Sequence, residues 1–380
     1  MLPQLSQLAL LTNQAILLVA RPAQDTFERP NHRRFYDVQA HRGGRGNTIE
    51  NTLPSFAWGL IDGASTLELD NGITKVVLLL WHDENITPQK CMDTEPAVPG
   101  DPEFPYVGKF VANLTFAQLR TLDCGSIRQS DYPMQLTYPG TKISTMQEVF
   151  EFASCADPNH EVLWNIESKI NALHPNRTRS VSDFVQKQHE VFSTSPYMSS
   201  ISYQSFDWRT LVSMKNLNPR MMTSALIDDA TATTSDNSTS PWLAGLRLED
   251  FPGPSFEERI AQAAHAVGAD ILSPAAVSSR GRVSDPALPG YVPFTTRVMV
   301  EEAHRLGLEV KPWTVNRLNV AESILQLGVD GIITDYPNVV RRLAKQNNLP
   351  TAPKYPKQRV LACLDEHLMK QRSRRDVSDL

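Results

Sequence analysis

The chain reads as an α/β protein built as a (β/α)8 TIM barrel, and three observations carry that reading. Eight strand-like segments alternate with helix-like ones from Val38 onwards. The length of 380 residues suits one such barrel with insertions. The competing fold, a doubly wound open sheet, wants a dinucleotide loop after its first strand. Gly44-Arg45-Gly46 begins that loop, but Ile49 stands where its third small residue belongs.

Taken in order, Val38–Ala40 is the first strand and delivers His41 and Arg42 to a turn rich in glycine (Gly43, Gly44, Gly46). The helix that follows has Pro54 in its first turn, apolar Phe56, Leu60 and Ile61, and Gly63 as its stop. Thr66–Leu69 is the second strand. Val76–Trp81 is also strand-like, yet the short connection after Asp70 cannot hold a parallel crossover, so the pair is expected to be an antiparallel hairpin. Residues 84–113, rich in Pro, Asp and Gly, form an insertion loop after the hairpin.

Helices are expected over Thr115–Leu122 and Thr145–Ala156, with Thr115 as an N-cap. Strands Val162–Ile166, Ile201–Ser205, Thr223–Ile227, Ile271–Ser273, Glu309–Val315 and Gly331–Thr334 then alternate with helical segments. The catalytic barrel is placed at 38–346, after a leader or possible signal segment at 1–37 and before a C-terminal tail at 347–380.

Composition narrows the function classes. A chain that is 41% hydrophobic and 21% charged is an ordinary globular protein, and a net charge of −5 offers no nucleic-acid footprint. No uninterrupted apolar run of about 18 residues occurs, so no transmembrane segment is expected. The apolar stretches Leu8–Leu11 and Ala15–Ala20 precede the first basic residue, Arg21, and so lack the positive start of a signal peptide. Sequons at Asn85, Asn113, Asn176 and Asn237 and an even set of cysteines favour a secreted glycoprotein, with a cytoplasmic protein as the alternative. A Cys91–Cys124 bridge would close the Pro-rich loop and contribute roughly 3–4 kcal/mol in the chain-entropy model; the other reading is buried free thiols.

The chemistry gathers at strand ends, where barrels carry their active sites. Glu68 and Asp70, two positions apart, project from one face of their strand. With Glu167 from a later strand they make three inward carboxylates, which without a counter-ion would repel one another. All-oxygen ligation suits a divalent cation, Mg2+ or Ca2+; a salt-bridge cluster with Arg42 or Lys169 is the metal-free alternative. His41 and His82 are suited to proton transfer near neutrality, and Asp83 is placed to orient an imidazole. Arg42 and Lys169 supply positive charge for a phosphate, while Gln204 and Trp313 stand at further strand ends as candidate substrate contacts.

The succession HRG, ENT, LELD, TK and WHD, then NIESK, then WTVN and GVDGIITDYP resembles the glycerophosphodiester phosphodiesterases, from about Val38 to Pro337. The resemblance implies a metal-dependent barrel that splits glycerophosphodiesters, small or lipid-derived, into glycerol 3-phosphate and an alcohol. It makes Glu68, Asp70 and Glu167 the metal ligands, His41 and His82 the general base and acid, and Arg42 and Lys169 the phosphate contacts. The rivals are a lysophospholipase D or sphingomyelinase D-like lipid phosphodiesterase and a non-catalytic barrel that binds metal or phosphate. The chain departs from the family's pattern after Thr74-Lys75, where Asp-Gly is usual. The hairpin is therefore expected to turn around Asn71-Gly72, and a one-residue register shift would turn His82 away from the acids.

Overall fold

The computed structural model describes residues 35–234 and 238–373. Its strands are β1 (Asp37–Ala40), β2 (Thr66–Ile73), β3 (Leu78–Leu80), β4 (Leu163–Ser168), β5 (Ile201–Ser205), β6 (Met222–Ile227), β7 (Ile271–Pro274), β8 (Glu309–Val310) and β9 (Gly331–Thr334). All but β3 run parallel, in the order β8-β7-β6-β5-β4-β2-β1-β9. The two ends of the sheet are drawn together by backbone hydrogen bonds from Asp330 N to Val310 O (3.0 Å), Ile333 N to Pro312 O (2.9 Å) and Val315 N to Ile333 O (2.9 Å). The expected (β/α)8 barrel is thus the observed one. The seventh barrel strand, β8, is shorter than its apolar pattern predicts, because Pro312 has no N–H to give the ladder.

The hairpin is antiparallel, with Asn71 opposite Leu80 and Ile73 opposite Leu78. Its turn does not fall at Asn71-Gly72, which lie inside β2. It falls at residues 74–77, where Thr74 N donates to Val77 O at 3.0 Å. The Thr74 hydroxyl also accepts from Val77 N at 2.8 Å and Val76 N at 3.2 Å. A threonine side chain thereby closes the turn that was expected at Asn71-Gly72.

Helix boundaries follow local chemistry. Thr52, Thr115, Thr145, Ser180 and Ser255 each cap a helix through a reciprocal capping box, at about 1 kcal/mol apiece. The helix Leu53–Asp62 carries Pro54 in its first turn and stops at Gly63, whose φ is 83°.

The insertion builds a small core of its own. Ile86, Tyr106, Val111, Leu114, Phe116, Leu119, Leu122 and Ile143 pack with Leu79 and Trp81 of the hairpin. Packing therefore continues past residue 113 to Ile143, and Cys91–Cys124 is a disulfide within this unit. The stretch expected as a C-terminal tail carries a helix, Lys357–Ser373. It lies against the helices Leu53–Asp62 and Met146–Ala156 and is tied to the latter by Cys155–Cys363. Residues 1–34 of the possible signal segment and Asn237 of its sequon lie outside the described residues, and Asp37, expected to end that segment, is the first residue of β1. Among those described, no helix is long and apolar enough to cross a membrane.

Candidate active site

Strand register assembles the carboxylates. Asp70 on β2 pairs with Glu167 on β4, and Glu167 in turn with Gln204 on β5, so one row crosses three strands. Glu68 lies two residues before Asp70 on the same face. Glu68, Asp70 and Glu167 are buried, and each offers an oxygen within 4.8 Å of the others'.

The turn after β1 completes one side of the cluster. Arg42, Gly43 and Gly44 have φ of 51°, 81° and 96°, a left-handed run that reverses the chain directly after His41. Gly43 is required twice over, since a Cβ there would come within 2.3 Å of Ser55 Oγ. Arg42, a non-glycine held left-handed, aims its N–H at Glu68 Oε2 at 2.7 Å. Its side chain places Nε 3.0 Å from Asp70 Oδ2 and a terminal nitrogen 3.0 Å from Glu50 Oε1. Asn51, also left-handed, donates to Asp70 Oδ2 at 2.8 Å.

Both histidines are paired with a carboxylate. His41 Nδ1 lies 2.6 Å from Asp335 Oδ1, which leaves Nε2 turned towards Glu68 at 4.0 Å. Asp335 is itself held by Arg45 Nε (2.8 Å), the Tyr132 hydroxyl (3.0 Å) and Asn316 Nδ2 (2.5 Å). His82 Nδ1 lies 2.7 Å from Asp83 Oδ1. The β2–β3 ladder ends at Leu80, and the His82 ring stays within electrostatic reach of Asp70, Arg42 and Lys169.

Burial sets the charge states. It pushes the Glu68 carboxyl well above its usual range, helped by the charges of Asp70 and Glu167. It pushes Glu167 up to about 7, which Lys169 at 2.6 Å only partly offsets. Burial would raise Asp70 as well, but Arg42, His82 and Lys169 hold it well below the carboxylate range. Burial lowers His41 against the pull of Asp335, and burial with Arg42 and Lys169 takes His82 down to about 3. Both imidazoles are therefore neutral near pH 7.

Asp70 Oδ1 is buried and has no hydrogen-bond donor, and Lys169 Nζ stands 3.9 Å from it. A bare carboxylate oxygen among two further carboxylates is the donor set of a hard divalent cation, so the residues present fit such an ion.

Of the remaining sequence candidates, Lys169 joins the cluster directly. Gln204 lies beside Glu167 but turns its amide into the barrel, towards Ser224 Oγ at 3.3 Å and Ser273 Oγ at 3.2 Å. Trp313 donates to Ser273 O at 2.8 Å and meets Phe206 edge-on at 5.2 Å between ring centres. Phe206 also contacts Trp242 and lies beneath Lys169 Nζ at 5.6 Å, which makes an aromatic wall beside the carboxylates.

Sequence reasoning missed Glu50, Asn51, Asp335, Asn316, Arg45, Lys90, Tyr132, Phe206 and Trp242. Glu50-Asn51 and Asp335 lay inside stretches already singled out, ENT and TDYP, and could have been read from them. Lys90 and Tyr132 carried no signal, because nothing in the insertion's sequence says where it folds back.

Fold and site together define a (β/α)8 barrel with a buried three-carboxylate cluster, whose donors fit a cation, flanked by two histidine–aspartate pairs at the C-terminal ends of its strands. The model of the glycerophosphoryl diester phosphodiesterase family matches residues 41–339, and the chain belongs to that family. A glycerophosphodiester phosphodiesterase of Caldanaerobacter subterraneus subsp. tengcongensis is 25% identical over 311 residues, 81% of this chain and 98% of that protein. One from Bacillus subtilis is 25% identical over 80% of this chain and 85% of its own length. Among solved structures, a Silicibacter pomeroyi protein of 24% identity gives a TM-score of 0.65 over 83% of this chain and 95% of that one. An Oleispira antarctica phosphodiesterase, solved with the product sn-glycerol-3-phosphate, gives 0.56 at 19% identity over 82% and 97%. These likenesses to solved structures speak to the fold.

Proposed function

We propose that the protein is a metal-dependent phosphoric diester hydrolase that cleaves glycerophosphodiesters to glycerol 3-phosphate and an alcohol. The family match supports the activity, and the observation that carries the site assignment is the buried Asp70 oxygen, reached by no hydrogen-bond donor, among Glu68 and Glu167. These three residues would hold the ion, Mg2+ or Ca2+ by its all-oxygen donors. When bound, the ion supplies Lewis-acid polarisation of the phosphoryl oxygens.

The chain's own groups perform the rest. Arg42 and Lys169, held beside the carboxylates, meet the substrate's phosphate charge. Asp335 holds the His41 proton on Nδ1, so Nε2 is free to take a proton from the attacking hydroxyl. Asp83 fixes His82 likewise, leaving its Nε2 to protonate the departing alkoxide. A phosphate anion settling between them offsets the positive charge of Arg42 and Lys169 that depresses His82, and so restores its capacity to carry a proton. The aromatic wall of Phe206, Trp242 and Trp313 borders the space for the rest of the substrate, while Gln204, bonded to Ser224 and Ser273, supports the cluster from inside the barrel. Two disulfides and exposed sequon residues Asn113 and Asn176 support a secreted protein.

The test is turnover of a glycerophosphodiester panel, glycerophosphocholine first, with and without chelator. Glu68→Ala and His41→Ala are each expected to abolish turnover while retaining the native circular-dichroism spectrum. Wild-type-like rates in either variant, or chelator-resistant activity, would sink the assignment.

A further inference from the structure

Lys90 belongs to the insertion, not to the barrel, yet its ammonium lies among the groups that frame the site. Nζ is 2.6 Å from Asp83 Oδ2 and 2.7 Å from Glu50 Oε1. These two carboxylates serve different partners. Asp83 presents its other oxygen to His82 Nδ1, and the Glu50 oxygen that meets Lys90 also accepts from Arg42. One cation therefore ties the frame of the candidate acid to the frame of the candidate phosphate contact.

The ammonium is itself confined. Its side chain is 16% exposed and lies 5.6 Å over the Trp81 ring. The backbone beneath it is pinned by Lys90 N and Cys91 N, which both donate to Thr87 O at 3.1 Å, and by the Cys91–Cys124 disulfide. Ion pairs this enclosed, with both carboxylates engaged elsewhere, act on geometry more than on stability. Without Lys90, Glu50 and Asp83 would face each other across the gap as like charges, and Asp83 would lose one of the two partners that fix its plane.

We propose that Lys90 is a positioning residue of the active site: through Asp83 it sets the orientation of the His82 ring, and through Glu50 it holds the Arg42 side chain. The inference rests on the phosphodiesterase reading for its kinetic consequence, not for its structural one.

The experiment uses the full, disulfide-bonded chain with saturating Mg2+ and glycerophosphocholine. Lys90→Ala should lower kcat about 10- to 100-fold, with KM changed less than about threefold, and Lys90→Arg should recover most of the loss by keeping both ion pairs. A second readout is independent of turnover: the ring 15N and Nδ1–H resonances of His82, identified by their absence in His82→Asn. Lys90→Ala should shift or broaden them, and Lys90→Arg should not. Wild-type kcat in Lys90→Ala would overturn the proposal. So would a loss of kcat that tracks a fall in Tm and is not rescued by Arg, or His82 resonances unchanged in Lys90→Ala. Should the wild-type protein hydrolyse no glycerophosphodiester, the functional reading fails, and the resonances alone decide the role of Lys90.

Discussion

At the floor of the barrel, opposite the active site, Lys311 is nearly out of solvent. Its Nζ sits 2.9 Å from Asp37 Oδ2 and 3.0 Å from Glu309 Oε2. Asp37 also accepts from Ser65 Oγ (2.8 Å), Thr66 Oγ1 (2.6 Å) and Gln39 Nε2 (2.8 Å). Burial by itself would raise the Asp37 carboxyl, but Lys311 and these donors bring it from 3.8 to about 2. That displacement corresponds to about 2 kcal/mol of stability. Because the folded value is depressed, the contribution is fully present above the unfolded value of 3.8 and is lost as pH falls through about 2. Lys311→Met would leave Asp37 charged, buried and unpaired, at an expected cost of about 3–5 kcal/mol near neutral pH. In the variant only the hydrogen bonds from Ser65, Thr66 and Gln39 oppose burial, so the carboxyl titrates higher than in wild type and protonation relieves it. The deficit against wild type should therefore shrink between about pH 7 and about pH 4. Urea unfolding followed by circular dichroism at both pH values measures it, and adding Asp37→Asn should recover part of the loss. A deficit under about 1 kcal/mol at neutral pH, or one that does not change with pH, would refute the reasoning.

Three further outcomes follow from the site and the scaffold. Asp335→Asn removes the carboxylate that orients His41 and should cut kcat by about a hundredfold or more with metal affinity kept; steady-state kinetics beside calorimetric Mg2+ titration checks both halves. Asp70→Asn should abolish the gain in stability that wild type shows on adding Mg2+, about 2.7 kcal/mol at a hundredfold excess over Kd; a scanning-calorimetry shift equal to wild type would remove Asp70 from the ligand set. Replacing Cys155 and Cys363 by Ser opens a loop of 208 residues and should cost roughly 5 kcal/mol in the chain-entropy model, read as a lower midpoint in urea.

Much of the architecture was legible because its signals are local. The helix Met146–Ala156 falls on the stretch Thr145–Ala156 that its pattern predicts, and Thr115, Thr145 and Gly63 mark boundaries by capping chemistry that acts within a few residues. Glu68 and Asp70 share a face because strand side chains alternate, and that holds wherever the strand lies. The hairpin turn was misplaced for the same reason in reverse. Asn71-Gly72 is a good turn pair locally, but the ladder with Leu79 and Leu80 keeps it extended, and Thr74 closes the loop instead.

By itself, then, the sequence determined the alternation of elements, the pairs of chemistry-bearing residues at strand ends, and the sites that cap and stop helices. Tertiary structure alone decided that Glu167 meets Asp70 in register, that Asp335 reaches His41 across 294 positions of chain, and that Lys90 and Tyr132 fold back from the insertion onto Asp83 and Asp335. The physical reason is that propensity, periodicity and capping act over a few residues. Closing the barrel, by contrast, juxtaposes strand ends through a hydrogen-bond register that no single segment encodes.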